Sequence, residues 1–242
     1  MDDVALDRSC GDSGFMEDFS DMLLLKLLNT SITAADDNEK VKSNAVRALG
    51  NFLRYTRTSS LDKAGFMEAV EKAVQALVRN VGSGLMKVRW NACYAIGNVF
   101  RNPFLPTGTA PWTTEIYSGL ENVIRDCKNF KVRINAVIPL SVPPERRYFG
   151  DVTLYSHVYA TLIDALKGTE NVTEFCEFKY RDTLRQQLCN SLCHMTSLMT
   201  AEDAVSLGTV LEENHDTYKE YIRNYVRQLS AQVKRTDSFH LL

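Results

Sequence analysis

No apolar run in this chain is long enough to cross a bilayer. The densest, Met22 to Leu28, is interrupted by Lys26, whereas a spanning helix needs about 20 apolar residues. Net charge is also missing: Lys+Arg number 28 against Asp+Glu 30, so no global field directs the chain to nucleic acid or a membrane. Of the six cysteines, Cys10 lies in the acidic opening segment and the others are scattered through apolar helical positions, as reduced thiols of an intracellular protein are. The opening, Met1-Asp2-Asp3-Val4, lacks the basic n-region of a secretory signal. Catalytic signatures are absent too. Gly82-Ser83-Gly84 lacks the flanking strand and the Lys-Ser/Thr of a phosphate loop, and no nucleophile elbow occurs. His157, His194, His215 and His240 are dispersed. Cys189 and Cys193 stand a helical turn apart, with His194 adjacent and Cys176 upstream. A structural zinc site commonly draws on two paired clusters, and here there is one loose one. The expectation is a soluble intracellular protein that is not an enzyme, with no metal, cofactor, small-molecule substrate or membrane insertion.

What the chain does have is repetition. Lys87-Val88-Arg89-Trp90-Asn91-Ala92-Cys93-Tyr94-Ala95-Ile96-Gly97-Asn98 restates Val41-Lys42-Ser43-Asn44-Ala45-Val46-Arg47-Ala48-Leu49-Gly50-Asn51, 47 positions earlier. Val132-Arg133-Ile134-Asn135-Ala136 repeats it 44 positions later, and a worn copy, Tyr180 to Asn190, follows after 48 more. Periods of this size belong to arrays of helical pairs. At 45% hydrophobic the chain can bury a core, and in such an array that core is a stripe through stacked layers.

Residues 1–14 are acidic and Gly/Ser-containing and read as a loose tail. The rest divides into approximate pairs at 15–57, 61–103, 112–145, 152–199 and 200–236. The first helix carries Phe15, Phe19, Met22, Leu23 and Leu27 along one side, with Leu24, Leu25 and Leu28 widening the stripe past the roughly 100° of one buried face. End repeats normally carry a polar outer face, so a preceding repeat is expected to be missing. Asp36-Asp37-Asn38 caps the next helix. Leu61 to Val81 reads as a first helix with Phe66, Val70, Ala73, Val74, Leu77, Val78 and Val81 inward. Trp112 to Cys127 is another. Pro139 falls inside its partner, where an interior proline costs about 3 kcal/mol, so the array should kink or shorten there.

The recurring positions have separable meanings. Ala45, Ala92 and Ala136, then Ala48 and Ala95, then Gly50 and Gly97 are small residues that let helices of adjacent layers approach closely. Leu49, Ile96, Leu140 and Leu188 are the matching large knobs. Lys42, Arg89, Arg133 and Arg181 form a basic ladder, either pairing with acidic groups such as Asp36, Asp37 and Asp126 or offering a stripe to an acidic partner. Asn44, Asn91 and Asn135 stand near helix starts, as capping or local structure. Asn51, Asn98 and Asn190 sit mid-helix, where asparagine is a poor helix former. They either hydrogen-bond between helices in the core or grip an extended peptide, with Arg54 and Arg101 three residues on reaching its acidic side chains. Trp90 either stands exposed or packs between layers.

Val-[Lys/Arg]-x-Asn-Ala at the head of a second helix, and the Ala-Leu-Gly-Asn and Ala-Ile-Gly-Asn segments, resemble the HEAT-repeat family with a lean toward armadillo. The similarity covers most of residues 40–200, and Pro139 and Pro143-Pro144 depart from it. It implies an α-solenoid used as a binding scaffold, with no catalytic residues. The fold expected is all-α, a right-handed solenoid of about five HEAT/armadillo-like helical pairs. The function expected is a protein-binding scaffold or adaptor that takes a peptide or helix along a concave groove of second helices. One alternative is a transport-receptor-like module with apolar clefts between outer helices. The other is nucleic-acid binding through Lys42, Arg47, Arg89, Arg133, Arg146, Arg147, Arg181 and Arg185, which the near-zero charge disfavours.

Overall fold

The computed structural model describes residues 20–171 and 175–239, and these are all-helical, with twelve α-helices, three short 3-10 turns and no strand. The acidic segment 1–14, with Phe15 and Phe19, lies outside the described residues. The chain divides into two compact units at Leu105 and Pro106.

In the first unit, α1 (Asp21–Ala34) and α2 (Glu39–Tyr55) form one helical hairpin. A single turn, α3 (Thr58–Leu61), leads to a second hairpin of α4 (Phe66–Gly82) and α5 (Met86–Arg101). First helix packs on first, α1 on α4, and second on second, α2 on α5. The starts are locally encoded. Ser20 and Asn38 accept from backbone amides of the first turns of α1 and α2. Gly65 opens α4 at φ 80°, a left-handed conformation that glycine adopts without penalty. This explains why α4 begins at Phe66 and not at Leu61.

Burial follows the helical period. On α4, Phe66, Val70, Ala73, Val74, Leu77 and Val81 are buried and Val78 is half-buried. On α1 the buried face is Leu24 and Leu28, while Met22 is 81% and Leu23 42% exposed. The inward stripe expected through Met22 and Leu23 is therefore rotated to Leu24 and Leu28. The expected close approach of small residues is present between α2 and α5. A methyl group added at Gly50 would lie 2.6 Å from the Ala95 Cβ and 2.7 Å from its Cα.

In the second unit, α6 (Thr113–Asp126) and α7 (Phe130–Val137) form a hairpin that packs on that of α8 (Val152–Gly168) and α9 (Phe175–Leu198). Again first helix meets first and second meets second. Three further helices follow: α10 (Ala201–Ser206), α11 (Gly208–Glu213) and α12 (His215–Phe239), with α10 against α8 and α12 against α9. Helix α7 stops after eight residues and tightens into a 3-10 turn, Ile138–Ser141, with Pro139 in its first positions. That is the shortening the proline demands.

The second unit's core is aromatic. Tyr117 stacks on Phe149 (5.5 Å between centroids), Phe149 meets Tyr155 edge-on (5.6 Å), and Tyr155 stacks on Tyr159 (6.1 Å). The buried hydroxyls are satisfied: Tyr117 donates to the Tyr148 carbonyl (3.0 Å) and Tyr155 to the Met195 carbonyl (2.7 Å). Beside this stack lies a buried ion pair. Asp203, fully buried, accepts from Arg146 Nε (2.7 Å) and Nη2 (2.6 Å). The same guanidinium lies 4.2 Å from the Tyr155 ring centroid and donates to the Gly150 carbonyl. Burial pushes the Asp203 carboxyl pKa up, but the Arg146 and Thr200 hydrogen bonds outweigh it and hold the carboxyl below its ordinary range. Asp203 also completes a capping box with Thr200 at the start of α10. Leu49, Ile96, Leu140 and Leu188, the repeated large knobs, are all buried.

Candidate functional site

The second helices of the first unit, α2 and α5, carry the candidate site. On α2, Lys40, Asn44, Arg47 and Asn51 are exposed at the spacing of one helix face, while Ala45, Val46, Leu49, Gly50 and Leu53 are buried. On α5, Lys87 and Tyr94 are exposed, and Trp90, Asn91 and Arg101 are half-buried along the same side. The close contact at Gly50 and Ala95 brings the two stripes side by side.

Amides stitch the layers together. Asn80 donates to the Ala35 carbonyl (3.0 Å), 45 positions away. Asn91 donates to the Ser43 carbonyl (3.2 Å) and hydroxyl (3.0 Å), 48 away. Asn98 Nδ2 donates to Asn51 Oδ1 (3.2 Å), 47 away. Asn102 donates to the Leu53 and Thr56 carbonyls (2.7 and 2.8 Å) and accepts from the Phe104 amide. Each reaches from one hairpin to the equivalent position of the one before. Asn80 and Asn102 stand outside the recurring asparagine positions, although both lie about one period from the groups they join. Asn91 bridges layers rather than capping its own helix, while Asn135 bonds locally to the Lys131 carbonyl (2.8 Å).

The candidate binding residues separate accordingly. Asn98 is 1% exposed, and its oxygen accepts from Arg101 Nη1 (3.1 Å). It is therefore spent inside the fold and cannot touch a ligand; Asn51, exposed, is the outer end of that chain. Arg54 stacks over the neighbouring Tyr55 ring (5.2 Å). Asn190 belongs to the second unit, where it accepts from the Tyr225 hydroxyl (3.1 Å). The structure thus brings together Asn51, Asn98 and Arg101, with Arg54 on the same helix as Asn51 and Asn190 in the other unit.

The basic ladder resolves into separate local roles. Arg89 Nε donates to the Val81 carbonyl (2.9 Å) in the last turn of α4, where a cation is favoured. Arg133 stacks over Phe130 (5.1 Å). Arg181 stacks over Phe178 (5.1 Å) and pairs with Asp182. Lys42 is half-buried on α2. Asp36 pairs with Arg79 (3.0 Å), which is not a member of the ladder. Of the basic set weighed for nucleic acid, Arg146 is committed to Asp203 and Arg185 to Thr169 (2.7 Å).

Cys189 is buried, and burial pushes its thiol pKa up to about 12; a thiol so shifted is a poor nucleophile at neutral pH. His194 Nε2 donates to the Pro143 carbonyl (2.7 Å). The Cys176 side chain lies outside the described residues, and no group of His, Cys, Asp and Glu that could hold a metal ion occurs among those described. Two grooves lie on other elements. One, of about 410 Å³, lies between α9 and α12, lined by Gln186, Cys189, Tyr221, Asn224 and Tyr225 among others. The other runs along α1 beside Met22, Leu25 and Lys26 and takes no residue from α4. Among the described residues, no helix is long and apolar enough to cross a membrane.

Comparison with known proteins places little beside this geometry. No family model matches the chain, and no solved structure matches it significantly. An uncharacterised protein of Dictyostelium discoideum is 33% identical over 153 residues, taking in 57% of this chain and 10% of that protein. The matched part of this chain thus spans about a tenth of the length of that curated relative.

Proposed function

We propose that the chain is a non-enzymatic interaction scaffold of the HEAT-repeat kind. Its hairpins continue as a right-handed solenoid, and the exposed face of its second helices receives a peptide or helix of a partner protein. The observation that carries this reading is Tyr94. It is 51% exposed on α5, in a row with half-buried Trp90 and alongside Arg47 on α2. Exposed aromatic and arginine residues clustered on a surface backed by a packed core are the composition of interface hot spots. The face is rigid, because amides and a close helix contact hold α2 to α5, so little ordering entropy opposes binding.

Selection from a displayed random-peptide library tests it. Peptides recovered on the full chain should lose at least about tenfold in affinity on Tyr94→Ala, an anchor loss of the usual size for hot spots, with no change in melting temperature. Peptides that bind the Tyr94→Ala and Arg47→Ala variants as well as the parent chain would place the binding surface elsewhere.

A further inference from the structure

The charge and hydrogen-bond direction of the α2–α5 face point to one kind of occupant. Helices α2 and α5 together carry Lys40, Lys42, Arg47, Arg54, Lys87, Arg89 and Arg101 against a single carboxylate, Glu39. Glu39 sits at the first turn of α2 and accepts from the Leu85 amide (3.2 Å). Among the described residues, the other acidic side chains of this unit stand on other elements: Asp21 on α1, Asp36 and Asp37 in the turn after it, Asp62 after α3, and Glu68 and Glu71 on α4. Of these cations Lys40, Arg47 and Lys87 stand exposed, while Arg89 is spent on the Val81 carbonyl and Arg54 lies over Tyr55; in a chain of net charge −2 the exposed charge of the α2–α5 face is thus positive.

The amide chain adds a direction. A guanidinium can only donate, so the Arg101 contact fixes the Asn98 oxygen toward Arg101 and its Nδ2 toward Asn51. Asn51 must then answer with its oxygen, and its NH2 is left as the exposed end. Arg101 therefore orients a buried amide, and the buried amide orients a surface one, so that the face presents a donor among cations. Such a surface satisfies acceptors and leaves donors unpaired.

We infer that, on the scaffold reading above, the α2–α5 face of this chain binds an acidic peptide segment, with Asn51 Nδ2 donating to a carboxylate or carbonyl oxygen under the direction of Arg101 and Asn98. Lys40, Arg47 and Lys87 steer the segment and set its salt dependence. Tyr94 and Trp90 supply the apolar contact between its charges.

The test uses a labelled twelve-residue peptide of alternating Glu and Ser, read by fluorescence anisotropy on the full chain. A Lys/Ser peptide and a twelve-nucleotide single-stranded DNA of the same length are the comparison probes. The acidic peptide should bind, and weaken with added salt, while the other two do not. Asn51→Asp is the decisive variant. Its carboxylate still accepts from Asn98 at the same length, so the fold and melting temperature should hold, but its outer end becomes an acceptor. Acidic-peptide affinity should fall at least about tenfold, as like-charge juxtaposition demands. Arg101→Met should weaken binding less, since the amide chain then loses its fixed direction while Asn51 stays in place. Equal binding by the parent chain and Asn51→Asp, or preference for the Lys/Ser peptide or the DNA, would overturn the inference. If library peptides lose binding on Tyr94→Ala yet carry no acidic residues, the scaffold reading stands and this assignment of its partner falls.

Discussion

Glu121 on α6 is a carboxylate that the fold buries, at 8% exposed, with one hydrogen bond, from the Thr161 hydroxyl (3.2 Å). Burial raises its pKa, and the Thr161 bond and nearby Arg125 offset that only in part. A raised folded-state value means the native protein holds this proton more tightly than the unfolded chain does. The penalty is therefore absent below the ordinary value of 4.5, grows as pH rises from there through the folded value, and is complete above it. Glu121→Gln keeps the acceptor for Thr161 and removes the charge. It should stabilise the protein at pH 7 by on the order of 1 kcal/mol, the scale of one poorly compensated buried group, and by nothing near pH 4. Thermal melts of both proteins across that range check it; an equal gain at both pH values would show that charge is not the cause. Asp203 has the opposite sign. Its value is depressed, so its contribution is present above the unfolded carboxyl value and is lost as pH falls through the folded one. Asp203→Ala leaves the 16%-exposed Arg146 without its partner, at a cost of about 3 kcal/mol for a broken buried pair, measurable by urea unfolding.

Between elements, the α2–α5 contact depends on having no side chain at position 50. In Gly50→Ala the new methyl meets not only the Ala95 Cβ, which could be removed, but also its Cα at 2.7 Å. The helices must separate, at about 1–3 kcal/mol for overpacking. Ala95→Gly in the same chain should recover part of that and not all of it. Full recovery in urea melts of the double variant would mean that the backbone contact is softer than the geometry requires. A second consequence is functional: parting α2 from α5 lengthens the Asn98–Asn51 bond, so Gly50→Ala should also weaken any ligand of that face. The helix boundaries were mostly legible in the sequence for the same local reasons that fix them. Asn38 reads as a cap, Pro139 as a point where the helix kinks or shortens and the α4 apolar period as a buried stripe, since caps, prolines and period act within one turn. The rotation of the α1 stripe was not legible. Leu25 and Leu27 are as apolar as Leu24 and Leu28, and which pair is buried is decided by α2 and α4.

At the scale of the molecule, the period announced stacked hairpins, and each unit holds two of them with like helices in contact. Repetition could not announce which asparagines are spent. Asn51 and Asn98 occupy the same place in successive copies, yet one is exposed and the other 1% exposed, because Asn98 has Asn51 before it to bond. Nor could it announce the pair of Arg146 with Asp203, 57 positions apart and outside the repeated segments. Each unit has its own buried core, and in stacked-hairpin proteins stability is the sum of local terms and nearest-neighbour terms. Gly50→Ala should therefore raise amide hydrogen exchange in α2 and α5, which carry the perturbed contact, while leaving α8 and α9 near their parent rates. Asp203→Ala should do the reverse, and the two free-energy losses should add to within about 0.5 kcal/mol, as for sites sharing no partner. Faster exchange throughout both units from either single change would mean that they open as one cooperative body, with a coupling between hairpins stronger than their local terms.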